Sequence, residues 1–225
     1  MLTELISITT QKANPTDHTM QKVKQFLEYE ATHPDAIIIY NASDIVLAGH
    51  SNASYLSEKK ARRRSGGNLF MLNDTEFPPQ NEAVLTIAKI IKAAMTSASE
   101  DELGALFINY KESITELQAL QEMGHTNPPT SIHTENTTAN GVVTNKISSK
   151  RLKYMDMRIY WICFRATKGH FRHYWRSGAN NLGVNVTKHH AIIHHRNVRP
   201  IYLIPKRQLY LLRKRVTPRV SLTKE

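Results

Sequence analysis

A chain of 225 residues with 40% hydrophobic content and a formal net charge of +11 is long enough to bury one substantial core and too short for two comfortable ones. It holds no apolar run near the ~20 residues that cross a bilayer, and its start, Met1-Leu2-Thr3-Glu4, lacks the charged-then-apolar layout of a signal peptide. A soluble, intracellular protein of cytoplasm or nucleus is therefore expected, without a membrane partner.

An N-terminal helix is expected around Met20–Tyr29, after the turn-like Ala13-Asn14-Pro15-Thr16-Asp17. Val23, Phe26 and Leu27 fall at helical spacing, and Pro34 marks the end. Short β-like runs follow at Ala36–Tyr40, Asp44–His50 and Asn68–Leu72, the last entered through Ser65-Gly66-Gly67, which suits a tight turn with positive φ. Ala83–Met95 is apolar with mixed periodicity, and its first half reads as a strand. The clearest helix begins at Ser97 or Ser99, where Ser99-x-x-Glu102 resembles a capping box. Leu103, Leu106, Phe107, Tyr110, Ile114, Leu117 and Gln121 then form a 3.6-residue stripe that Gly124 closes.

Beyond Pro128-Pro129 come a short strand at Ser131–Thr134, a helix at Thr138–Asn145 and another at Leu152–Ala166, with Met155, Ile159, Ile162 and Cys163 on one face. Cys163 is the only cysteine, which excludes an internal disulfide and a multi-thiolate zinc site; its apolar setting predicts a buried, inert thiol. His170–Trp175 reads as a strand with Trp175 in the core. Strands, a long helix, a strand, helices and a strand in that order predict an α/β domain whose mixed central sheet is flanked by helices.

Charge is unevenly divided. Residues 1–150 carry 13 Lys+Arg against 17 Asp+Glu, whereas 151–225 carry 17 against 2, so the C-terminal third is a candidate polyanion-binding surface, the plainer reading being a solvated basic face. His189, His190, His194 and His195 form two pairs there; with no acid or cysteine nearby, a phosphate-facing role is expected rather than a dedicated zinc site. The stretch 200–225 alternates apolar and basic residues, as an edge strand, a membrane-surface segment or a disordered arm would.

Five ordered blocks carry a resemblance to a known family. His50-Ser51-Asn52-Ala53-Ser54-Tyr55-Leu56-Ser57-Glu58, with Lys60-Ala61-Arg62 and Gly66-Gly67, resembles the first hairpin of the Ty1/copia retrotransposon ribonuclease H domain, HSDASYLSE…KAR…GG. Thr96-Ser97-Ala98-Ser99-Glu100-Asp101-Glu102-Leu103-Gly104-Ala105-Leu106 resembles the helix start SSAAEAELGAL, and Ile132-His133-Thr134-Glu135-Asn136 through Gly141 resembles the junction TDNSTADG. Met155-Asp156-Met157-Arg158 matches MDMR, and Tyr174-Trp175-Arg176-Ser177-Gly178 through Thr187-Lys188-His189-His190 matches YWRPG…TKHH. The resemblance spans about residues 13–199 and implies a ribonuclease H-like fold, with 1–43 as a connection from the reverse transcriptase side, 44–199 as the ribonuclease H-like domain and 200–225 as a basic tail.

What it further implies is a cluster of four carboxylates binding two Mg²⁺ ions and hydrolysing the RNA strand of an RNA–DNA hybrid. Two ions about 4 Å apart activate the attacking water and stabilise the leaving oxygen. By the resemblance, the four acid positions fall on Asn52, Glu102, Glu135 and Val184. Asn52 is a weak neutral donor and Val184 offers no oxygen; Glu135 keeps its charge on a side chain longer by one bond of ~1.5 Å. Glu102 is intact, its alternative role being a solvated acid at the helix start. Glu100 and Asp101 project roughly 100–200° away from it, and Asn140 replaces a further acid of the pattern. With Glu102 and Glu135 as the remaining metal ligands, the resemblance implies a degenerate domain that binds nucleic acid without cutting; the alternative is a slow Mg²⁺-dependent endoribonuclease. Arg62, Arg63, Arg64, Arg151, Lys153, Arg172, Arg176 and Lys188 are the candidate nucleic-acid contacts, ordinary surface charge being the other reading. One face of the His173-Tyr174-Trp175 strand is a candidate stacking surface. The implied partners are RNA–DNA hybrid or other nucleic acid, and a reverse transcriptase domain.

Overall fold

The computed structural model describes residues 2–9, 11–38, 40–58, 62–73, 81–92, 95–144, 156–178, 181–188 and 190–205. Its elements run α1 (Leu2–Thr9), α2 (Asp17–Ala31), β1 (Ala36–Ile37), β2 (Val46–Glu58), β3 (Arg62–Leu72), β4 (Ala83–Ile91), α3 (Ala98–Glu122), β5 (Thr130–Thr134), α4 (Thr137–Val143), α5 (Asp156–Thr167), β6 (Phe171–Trp175), a 3-10 turn at Leu182–Val186, α6 (Ile192–Tyr202) and β7 (Ile204–Pro205). The main sheet has the order β4-β3-β2-β5-β6. Its β2–β3–β4 half is antiparallel, whereas β2–β5 and β5–β6 are parallel. This mixed sheet is the ribonuclease H-like arrangement that the motif order implies.

The two halves follow from local sequence. Residues 46–72 give two long strands in hairpin register, Val46 opposite Leu72 and Asn52 opposite Gly66. Parallel pairing needs a crossover, and α3 supplies it. Ser97 caps α3, its hydroxyl accepting from the Glu100 amide at 3.3 Å, while the Glu100 carboxylate accepts from the Thr96 amide and hydroxyl at 2.5 and 2.9 Å. The cap is thus Ser97 rather than Ser99, because Glu100 is the acid that reaches back over the helix start. Leu103, Leu106 and Tyr110 are fully buried against Leu47, Leu69, Ile132 and Ile162. At the far end of the stripe Leu120, not Gln121, enters the core. Gly124 ends the helix at φ +88°, as a left-handed cap requires.

Gly66 and Gly67 are not a turn. They lie inside β3, pointing to opposite faces. A Cβ at Gly66 would collide with Thr187 and the Gly183 carbonyl, and one at Gly67 with the Asn109 side chain. The glycines therefore let the 3-10 turn close on one face of the sheet and α3 on the other.

A second, two-stranded sheet joins two segments distant in the sequence. β1 pairs antiparallel with β7, Ile37 opposite Ile204, and the Tyr29 hydroxyl shares a hydrogen bond with His195 Nε2 at 3.0 Å. The strand expected over Ala36–Tyr40 is shortened to two residues, and the boundary drawn at residue 199 falls within α6. Residues 200–205 finish α6 and form β7; the rest of the stretch read as a tail lies outside the described residues. No helix among the described residues is long and apolar enough to cross a membrane.

Candidate functional site

The candidate centre lies where β2, the start of α3, the end of β5 and the 3-10 turn converge. Three consecutive residues of β2 hold the turn. His50 Nδ1 accepts from the Leu182 amide at 3.0 Å, the Ser51 carbonyl accepts from Asn181 Nδ2 at 2.9 Å, and Asn52 Nδ2 donates to Thr187 Oγ1 at 2.5 Å. Asn52 is fully buried, with its second amide hydrogen directed to the Ala53 carbonyl at 3.2 Å. The Asn52 side chain is thus a donor fastening the turn to the sheet, a task that a carboxylate cannot perform toward the same hydroxyl lone pair.

Glu102, one turn into α3, accepts from the Ala53 amide at 3.0 Å and is 6% exposed, so it is a buried group and not a solvated helix-start acid. Burial pushes its carboxyl up to about 8; the Ala53 N–H opposes this and the charge of Glu135 adds to it. Two oxygens in the centre, Asn52 Oδ1 and Glu102 Oε2, are buried without a hydrogen-bond partner. Both are acceptors, and a proton on Glu102 turns one of them into a donor.

Glu135 follows β5 and approaches Gly178 so closely that a Cβ there would overlap its carboxylate. Lys188 Nζ stands 4.0 Å from Glu135 Oε1 and its charge also reaches Glu102. Val184 contributes its backbone, its carbonyl accepting from the Thr187 hydroxyl at 3.0 Å and sharing a bond with His190 Nε2 at 3.1 Å.

The structure thus brings Asn52, Glu102 and Glu135 together beside Lys188, with Val184 in the adjoining turn. These residues do not fit a pair of divalent ions. Of the four positions that the resemblance gives to acids, two keep a carboxyl, and an ammonium already attends one of these. Among the described residues no three His, Cys, Asp or Glu side chains gather as a ligand set.

Neighbouring acids serve elsewhere. Asp101, 1% exposed, pairs with Arg63 Nε at 2.6 Å across to β3, and Glu100 closes the α3 cap. Spacing along the helix separates both from Glu102 but does not reveal that they are buried. Thr187 and the Arg63–Asp101 pair escape a reading of the sequence; the threonine stands in the TKHH block, and nothing in the sequence marks its bond to Asn52.

Among the cationic candidates, Arg62, Arg172, Arg176 and Lys188 are exposed. Arg64 is fully buried and cannot present its guanidinium to a polyanion. It sits opposite Ser54, deep in the hairpin. Arg151, Lys153 and His189 lie outside the described residues. Trp175 is 48% exposed and not in the core; its Nε1 donates to the Glu135 carbonyl at 2.8 Å, which holds the indole at the rim of the centre. The Arg176 guanidinium lies 5.3 Å from the Tyr174 ring. His190 and His194 stack at 4.0 Å and bond to Val184 and Asn185, so they brace the turn. Cys163 is half-buried, burial pushes its thiol up, and its Sγ faces the Val142 carbonyl at 3.8 Å, in keeping with an inert thiol.

No family model matches the chain. A search of curated proteins gives a match to the retrovirus-related Pol polyprotein from transposon TNT 1-94 of Nicotiana tabacum, 26% identical over 149 residues. The match takes in 66% of this chain and only 11% of that polyprotein. Among solved structures, a ribonuclease H1 isolated from compost aligns at TM-score 0.44 and 9% identity over 64% of this chain and 93% of its own. The N-terminal ribonuclease H domain of a Mycobacterium tuberculosis protein aligns at 0.40 and 11% over 61% and 86%. A prototype foamy virus protease-reverse transcriptase aligns at 0.34 and 10% over 63% and 18%. The chain is thus similar, over two thirds of its length, to the Pol polyprotein of a retrotransposon, and its described residues form a ribonuclease H-like sheet.

Proposed function

We propose that this chain is a Ty1/copia-type ribonuclease H-like domain that binds RNA–DNA hybrid or duplex nucleic acid through its basic C-terminal third and does not cleave it. The observation that carries the reading is Asn52. At the position where the family pattern has an acid, its amide is spent on Thr187. Two Mg²⁺ ions bring four positive charges, whereas Glu102 and Glu135 offer two negative ones at most, and Lys188 opposes further cation. The second ion is then repelled, and either water activation or leaving-group stabilisation goes unserved. Binding needs none of this, because phosphate contacts supply sequence-independent affinity. Arg172, Arg176 and Lys188 are the contacts assigned to it in the C-terminal third, with Arg151 and Lys153 as further ones there by sequence and Arg62 on the first hairpin beside them in the assignment.

The test uses a labelled hybrid. The natural chain is expected to bind it with micromolar affinity, falling steeply between about 50 and 200 mM salt, and to show no Mg²⁺-dependent cleavage above Glu102→Gln. A triple variant, Asn52→Asp, Glu135→Asp and Val184→Asp, is expected to take up Mn²⁺ in isothermal titration where the natural chain does not. Cleavage by the natural chain that Glu102→Gln abolishes would establish the alternative, a working endoribonuclease. A salt-independent affinity would remove the basic third as the binding surface.

A further inference from the structure

α5 is apolar on two sides. Its inner side puts Ile159 and Ile162 into the core. Its outer side should be polar in a surface helix, yet Met157, Tyr160 and Phe164 are 84, 72 and 56% exposed. At 100° per residue these three share one stripe, with Trp161 and Arg165 along one edge of it and Lys168 just past the end of the helix. Cations sit on the rings themselves: Lys168 Nζ lies 5.7 Å from the Phe164 ring and the Arg165 guanidinium 5.4 Å from that of Trp161. No Asp or Glu occurs anywhere in residues 157–224.

We propose that the outer face of α5 is a stacking platform for an unpaired nucleic-acid strand, with Tyr160 and Phe164 carrying successive bases and Arg165 and Lys168 holding the phosphates. Aromatic faces accept any base, and an adjoining row of cations follows the backbone; together they make a sequence-tolerant single-strand site. Four helical steps lead from Tyr160 to Phe164, a rise of about 6 Å, close to the step between nucleotides of an extended strand. Charge complementarity selects this occupant. A helix with Asp156 as its one acid and cations laid along its exposed rings suits a polyanion, and an acidic peptide would not need two flat rings in sequence. A lipid surface is a poorer fit, because an interfacial helix presents a broad apolar face with its cations opposite, whereas here the stripe is one side chain wide and the cations lie along it.

This inference rests on the nucleic-acid-binding reading above, and the experiment separates the two. Anisotropy of labelled single-stranded oligouridine and of a hybrid duplex is measured with the full chain, with Tyr160→Ala/Phe164→Ala, with Tyr160→Phe and with Arg165→Gln/Lys168→Gln. The aromatic double variant is expected to lose at least about 5-fold in affinity for the single strand and less than 2-fold for the duplex, with an unchanged salt slope. Tyr160→Phe should bind as the natural chain does, and the cation variant should flatten the salt slope. Equal losses on both nucleic acids, or none, overturn the platform and leave the hybrid-binding reading intact. Failure of the natural chain to bind either overturns both. Binding to phosphatidylserine vesicles that the aromatic variant abolishes, with single-strand affinity unmoved, assigns the face to a membrane instead. Should the variants misfold, a Trp175→Phe chain leaves Trp161 as the sole indole; saturating oligouridine is expected to quench it, and unchanged emission at saturation overturns the proposal.

Discussion

The acid centre and the outer face of α5 are built in opposite ways. At the centre polar groups are buried and mostly partnered inside the fold: Asn52 Nδ2 by Thr187, Asp101 by Arg63, one Glu102 oxygen by the Ala53 amide, with Asn52 Oδ1 and Glu102 Oε2 left over. On α5 large apolar groups stand in solvent with cations laid against them. A buried polar group left without its partner costs free energy, so stability constrains the centre tightly. An exposed ring costs the fold almost nothing to keep or lose, so only an activity can read it. On the proposed reading, the centre serves folding and binding falls to the surface.

The comparison breaks most visibly at Arg63. Arg63→Ala leaves Asp101 buried without its cation, and a loss of about 3–5 kcal/mol is expected in urea unfolding; a loss below 1 kcal/mol would show that water reaches the pair. Next in size is a pH effect on β6. His173, bonded to the Tyr110 hydroxyl, is held down to about 4 by burial. Its folded value lies below the unfolded 6.5, so the stability it contributes is complete above pH 6.5 and is lost as pH falls toward 4. The natural chain should lose on the order of 1–3 kcal/mol more over that window than His173→Gln. Parallel pH profiles for the two chains would place the imidazole in water. Thr187→Val, which strands the Asn52 amide, should cost about 1–2 kcal/mol, and a neutral result would detach the turn from the centre. Smallest is Phe164→Ser on α5, expected within about 0.5 kcal/mol of the natural chain; a larger loss in thermal melts would mean that the outer face packs against something.

Much of this is legible in the order of residues alone. α3 can be read because Leu103, Leu106 and Tyr110 repeat at helical period and Gly124 supplies the left-handed stop. The strands around Asn52 and Ile132 can be read from ordered motif blocks. What escapes is set by partners distant in sequence. Gly66-Gly67 looks like a turn in isolation, and only the approach of Thr187 and Asn109 shows why two Cβ atoms must be missing. Arg64 looks like surface charge beside Arg62 and Arg63, yet strand alternation and the closed hairpin bury it completely. Trp175 has the size of a core residue, but it ends an edge strand, where one side of the sheet is open. Ser97 outranks Ser99 as a cap because Glu100 folds back to Thr96, a detail of one side-chain torsion.

The mixed pairing of β2 bears on the order in which the fold assembles. Its hairpin with β3 closes through a few residues after Glu58, whereas its parallel ladder to β5 joins Ala48 to Ser131, a loop of about 80 residues whose closure entropy must be met before the ladder forms. The 3-10 turn is more distant still, so the Asn52–Thr187 bond belongs after the rate-limiting step rather than in it. Bonds made that late govern escape from the native state and leave the speed of reaching it nearly untouched. Loss of the Thr187 hydroxyl should therefore shorten the lifetime of the folded chain, measured as a faster unfolding limb, while refolding proceeds at its former rate.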